Sequence, residues 1–163
     1  MTDELVERAK AYASDFSHGD VPIPPARKVA IVACMDARLD LFGLFGLDIG
    51  DAHLIRNAGG AVSDDTIRSL AISQRLLGTT EVILVHHTDC GMLTFKGDEL
   101  AAQIEADTGI RPPWSTEAFS DVDADVRQSL ARIAASPFVP HREAVRGFVY
   151  DVKTGTLREV TQA

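Results

Sequence analysis

The chain has 163 residues, 45% of them hydrophobic, which is enough for one domain with a core of its own. Its 16 Lys and Arg against 24 Asp and Glu give a formal net charge of -8. With no basic cluster, that balance argues against nucleic acid and against an anionic membrane surface as partners. No apolar run approaches a membrane span, and the N-terminus is acidic where a signal peptide would be basic, so the expected location is cytoplasmic.

Leu5, Ala9, Tyr12 and Phe16 recur near four-residue intervals, which predicts an amphipathic helix over residues 3–16. His18-Gly19-Asp20 and Pro22, Pro24 and Pro25 then make a stiff extended connection rather than a domain boundary. Val29 to Cys34 is a continuous apolar run of the kind that forms a parallel strand buried on both faces. Leu39 to Gly46 reads as a short helix or turn, and Gly43, Gly46 and Gly50 match neither phosphate-loop fingerprint, so nucleotide binding is not supported.

Ala52 to Arg56 is a second strand, followed by Asn57 and the pair Gly59-Gly60, where a backbone amide could approach a small ligand. Ser63 caps a crossover helix whose first turn carries Asp64 and Asp65, with Ile67, Leu70, Ala71 and Leu77 on one face and Gly78 at its end. Arg68 and Arg75 read as solvated or partner-facing charges. Val82 to His87 is the third strand, and a loop and helix fill residues 92–109.

Trp114, beside Pro112 and Pro113, reads as packing or interface. Val122, Val126, Leu130 and Ile133 mark another helix, stopped by Pro137 and Pro140, and residues 146–160 form a terminal hairpin. The fold class expected is α/β: a mostly parallel twisted sheet flanked by helices, with an N-terminal helical arm and a C-terminal hairpin.

The chemistry sits at two strand ends. In a parallel sheet, ligands bind beyond the carboxyl ends of the strands at a switch point, where Cys34 would meet His87 and Cys90 if their strands are neighbours. Two thiolates and an imidazole suit zinc, and three protein ligands with an open fourth position suit a catalytic ion. Spacing leaves His86 and His87 both eligible. His87 is preferred because His87-x-x-Cys90 closes a tight chelating turn, which makes His86 a hydrogen-bonded core or interface residue. The bland alternative is two buried structural cysteines. Asp36 and Arg38, two residues apart beyond the first strand, can form a salt bridge beside the metal; Asp89 could help orient a ligand or carry a proton, but reads first as a turn residue.

Cys34-x-Asp36-x-Arg38, then Arg56-Asn57-Ala58-Gly59, then His87-x-x-Cys90, resemble the β-class carbonic anhydrases, in particular their short actinobacterial-type members. The resemblance runs from about residue 28 to residue 93, with a continuation to the C-terminus, and implies one Zn2+ per chain on Cys34, His87 and Cys90. It implies reversible hydration of carbon dioxide to bicarbonate and a proton by a zinc-bound hydroxide, making the protein a carbonate dehydratase, a lyase. In that family Asp36 paired with Arg38 orients the hydroxide, whereas freed Asp36 becomes a fourth metal ligand and closes the site. Gly59 becomes a candidate for substrate binding.

The same resemblance implies that residues 1–25 of a single domain, 1–163, form an arm over a partner subunit, in a homodimer or homotetramer. Relatives with this motif hydrolyse carbonyl sulfide or carbon disulfide, which is the alternative enzyme reading. A non-catalytic zinc-binding or sensor protein is the second alternative. Ile31 stands where some members carry the tryptophan of a regulatory bicarbonate pocket, so that form of inhibition is not expected here.

Overall fold

The computed structural model describes residues 1–161. Five strands form one sheet in the order β2-β1-β3-β4-β5: β1 Val29–Cys34, β2 Ala52–Asn57, β3 Glu81–His87, β4 Val145–Tyr150 and β5 Leu157–Val160. β1 pairs in parallel with β2 on one side and β3 on the other, β3 pairs in parallel with β4, and β5 returns antiparallel as the expected hairpin.

All six residues of β1 are buried. Alternation along the strands then divides the core in two. Ala30, Val32, Val82 and Leu84 pack with Leu70, Val126, Leu130 and Ile133 on one side, and Ile31, Ala33 and Val85 with Leu39, Leu41 and Met92 on the other. Each fully buried Leu or Ile contributes about 2 kcal/mol by leaving water.

Helices α3 Asp64–Leu77 and α5 Val122–Ala135 supply the first of those faces. Ser63 caps α3 by accepting from the Thr66 amide at 3.4 Å, and Gly78 closes it at a φ of 76°, as the sequence pattern predicts. α5 lies so close to β4 that a Cβ on Gly147 would sit 2.5 Å from Cγ1 of Val126. Two further helices, α2 Leu41–Phe45 and α4 Gly97–Thr108, occupy the predicted segments. Arg75 is less free than expected, because its Nε donates to the Phe138 carbonyl at 2.9 Å.

Two readings are narrowed. The N-terminal helix α1, Thr2–Ser14, ends before Phe16 and buries none of its residues. Leu5, Val6, Tyr12 and Phe16 are exposed, so its apolar stripe is not covered by its own chain. Trp114 is 57% exposed and is no part of the core. Among the described residues, no helix is long and apolar enough to cross a membrane.

The topology places the site. From β1 the chain goes first to β2 at the sheet edge, then returns through α3 to β3 on the opposite side of β1. The switch point therefore lies between the carboxyl ends of β1 and β3.

Candidate metal centre

Cys34 ends β1, His87 ends β3, and Cys90 follows three residues later, so the switch point brings all three together. Their ligand atoms lie within 4.8 Å of one another and all three residues are buried. The two Sγ atoms are 3.9 Å apart, and neither cysteine is in a disulfide.

Strand alternation decides between the histidines. His86 shares its face with Val82 and Leu84 and points toward α5, whereas His87 shares the opposite face with Val85. His86 is fully buried and stacks on Phe119 with ring centroids 6.2 Å apart. Its Nδ1 comes within 3.1 Å of Oδ2 of Asp125, but neither ring nitrogen has a hydrogen bond, contrary to the expectation of a bonded core histidine.

The His87 ring is set by its own turn. Nδ1 lies 2.8 Å from the Thr88 carbonyl, which makes Nδ1 the donor and leaves the Nε2 lone pair free. Nε2 is buried without a partner, a costly arrangement unless something else satisfies it. A soft S, S, N donor set around that orphaned nitrogen fits zinc and leaves one coordination position open.

Charge in the cluster is distributed unevenly. The Cys90 thiol facing Cys34 stabilises the Cys34 thiolate against burial, with His87 and the amides of Asp36 and Gly59 adding to it, so the Cys34 pKa falls well below the usual thiol range. Cys90 is pushed up, first by that same Cys34 contact and then by burial. Burial opposes a charged His87, yet the neighbouring thiolate and the Thr88 carbonyl raise its pKa on balance. Without a metal, the two sulfurs therefore share one negative charge, and metal binding would displace the second proton.

The expected Asp36–Arg38 pair is present and bidentate. Arg38 Nε donates to Oδ1 at 2.9 Å and Nη2 to Oδ2 at 2.8 Å, with the Arg38 amide also donating to Oδ1. Chiefly through these Arg38 side-chain bonds, the Asp36 carboxyl is held well below the usual carboxylate range. Asp36 Oδ2 is 3.7 Å from His87 Nε2, so the carboxylate borders the ligand set while gripped by arginine.

The two glycines lie against protein atoms beside the site. A Cβ on Gly59 would meet Met92 Cγ at 3.2 Å. Gly60, at a φ of 71°, is pressed on protein rather than ligand: a Cβ would lie 2.9 Å from the Cys34 nitrogen. Two contacts beside the site go beyond the sequence pattern. Arg56 donates to main-chain carbonyls beside the site, which leave no side-chain pattern to read. Asp89 is a turn residue as read, at a φ of 54°, but its carboxylate also binds Arg38 at 2.9 Å.

The sequence profile of the carbonic anhydrase family matches residues 29–157. The chain is 58% identical to Beta-carbonic anhydrase 1 of Mycobacterium tuberculosis, over 99% of its own length and 98% of that protein's. It belongs to the β-carbonic anhydrase family. A crystal structure of carbonic anhydrase from Streptococcus mutans superposes with a TM-score of 0.90 at 41% identity, covering 98% of this chain and 97% of that one. A carbon disulfide hydrolase of Saccharolobus solfataricus is 34% identical over 98% of this chain and 89% of its own. β-Carbonic anhydrases use zinc, and Cys34, His87 and Cys90 form a group able to hold it.

Proposed function

We propose that this β-carbonic anhydrase hydrates carbon dioxide reversibly to bicarbonate and a proton, with one zinc per chain held by Cys34, His87 and Cys90. The observation that carries the reading is the buried His87 Nε2, orphaned between two thiols and bordered by the Asp36–Arg38 pair.

Zinc held there would be a Lewis acid that lowers the pKa of water, less than beside three histidines because two thiolates offset its charge, which favours alkaline pH. The protein's own groups do the rest. Asp36, fixed by Nε and Nη2 of Arg38, accepts a hydrogen bond from the attacking water and orients its lone pair toward the substrate carbon. Released from Arg38, the same carboxylate can take the fourth metal position and shut the site. Gly59, where a Cβ would crowd Met92, borders the substrate pocket in this reading.

Residues 1–163 form one domain in this reading, although Gln162 and Ala163 lie outside the described residues. The arm, residues 1–25, packs on a partner in a homodimer or a homotetramer built from it. The uncovered Leu5, Val6, Tyr12 and Phe16 support this. Thiol ligands suit a reducing cytoplasm.

The alternative enzyme reading, hydrolysis of carbonyl sulfide or carbon disulfide at the same site, draws on the 34% identical carbon disulfide hydrolase and ranks below the 58% match. A permanently closed zinc-binding or sensor protein ranks last, because Arg38 competes for the carboxylate that would close the site. Removing the metal with a chelator and restoring it with zinc tests the main reading. Hydration of carbon dioxide should disappear and return; hydration untouched by metal removal would refute it.

A further inference from the structure

Arg38 is held by two carboxylates, and the Asp36 pair accounts for only one. Beyond its two side-chain bonds to Asp36, it donates through Nη1 to Oδ2 of Asp89 at 2.9 Å and through Nη2 to the Asp89 carbonyl, also at 2.9 Å. Asp89 stands on a fixed turn. The preceding Thr88 donates its amide to the Tyr150 carbonyl at 2.9 Å, and its hydroxyl accepts from the Val152 amide at 3.1 Å. Asp89 itself adopts a φ of 54°, in the left-handed region where glycine is the comfortable residue. From that turn its carboxylate reaches the Arg38 guanidinium.

We propose that Asp89 is a positioning residue for the reaction, holding the Arg38 guanidinium in the orientation from which it grips Asp36 with two parallel bonds. This rests on the reading above that the Asp36–Arg38 pair works in the site. The reason is geometric. Both side chains of the second contact are largely solvated, Asp89 at 69% and Arg38 at 45% exposure, so its Coulomb attraction is small. What it supplies is order. A long arginine with one partner must surrender its rotamer freedom to make a bidentate pair, whereas one already fixed by a carboxylate and a carbonyl has surrendered it in advance.

The test uses the zinc-loaded full chain and the variants Asp89→Gly, Asp89→Asn, Arg38→Ala and the double variant Arg38→Ala/Asp89→Gly. Glycine relieves the left-handed backbone and keeps the carbonyl, so a residue that only makes the turn would lose nothing by it. We expect Asp89→Gly to lower kcat/KM for carbon dioxide about fivefold at unchanged zinc content, with no further loss in the Arg38→Ala background. Asp89→Asn, whose amide oxygen still accepts from Nη1, recovers most of the activity.

A second readout needs neither metal nor turnover. Phenylglyoxal should modify Arg38 of the metal-free protein, followed by peptide mass spectrometry, about threefold faster in Asp89→Gly than in the parent. Parent-like activity and modification rate in Asp89→Gly, or an activity loss that persists undiminished without Arg38, would overturn the proposal. Full activity in Arg38→Ala would instead overturn the role of the pair itself, and the positioning role with it.

Discussion

Arg56 Nη2 donates to the main-chain carbonyl of Asp36 at 2.6 Å, while its Nε reaches the carbonyl of Cys34 at 3.0 Å. One guanidinium on β2 thus ties down both ends of the turn that carries a metal ligand and the carboxylate beside it. Lysine cannot reproduce that fork. Replacing Arg56 with lysine or alanine is expected to weaken zinc binding about tenfold, the scale of lost outer-shell support. Competition against a chromophoric chelator measures it, and an affinity equal to the parent's would remove Arg56 from the account.

Gly60→Ala should damage folding rather than chemistry. The new Cβ would sit 2.9 Å from the Cys34 nitrogen, 3.0 Å from the Ala33 carbonyl carbon and 3.2 Å from the Val85 oxygen, with φ at 71°. All three neighbours are backbone and cannot rotate away. Overpacking plus the left-handed strain should cost about 2–4 kcal/mol. Thermal unfolding of the zinc-loaded protein should show a fall of about 5 °C or more; an unchanged midpoint would mean that the β1–β3 tip is looser than described.

Asp36→Ala separates turnover from metal binding. The three proposed ligands are untouched, so zinc content should stay at one per chain, whereas losing the carboxylate proposed to orient water should lower kcat about 100-fold. Metal analysis and stopped-flow hydration on the same sample check both halves. Full activity would reject the role of Asp36.

His53 gives the fold a pH dependence away from the metal. Burial lowers its pKa below the ordinary histidine value, and its Nδ1 lies 2.7 Å from the Ser73 hydroxyl. The unfolded chain therefore takes up this proton at a higher pH than the folded chain does. Protonation favours unfolding, and stability contributed by the neutral ring is lost as pH falls through and below the ordinary histidine range. Between about pH 8 and about pH 5, the parent should lose stability relative to His53→Gln, as read from paired denaturant titrations. A difference that is constant with pH would contradict the assignment.

How much of this is legible in the sequence follows from where the information lies. Apolar runs and their polar tips reveal β1 and β3, and the period of two that buries Val85 also turns His87, not His86, toward the ligand face. Ser63 and Gly78 announce the ends of α3 because caps are local chemistry. The Asp36–Arg38 pair is legible because its members are two residues apart. Arg56 on main-chain carbonyls, Gly60 against the backbone of Cys34, and Asp89 reaching Arg38 are not, since each depends on strand order or on a turn whose direction spacing does not specify. For Trp114 and the stripe of α1, apolar character says that a surface can be covered but not which chain covers it, and both are exposed on this chain alone.

The most direct measurement is stopped-flow hydration of carbon dioxide by metal-quantified protein across a range of pH, with release of hydrogen sulfide from carbon disulfide and carbonyl sulfide followed on the same preparation. The account predicts rapid hydration at one zinc per chain, rising toward alkaline pH, and far slower sulfide release. Fully zinc-loaded protein that fails to hydrate carbon dioxide at any pH, or that releases sulfide much faster than it hydrates, would contradict it.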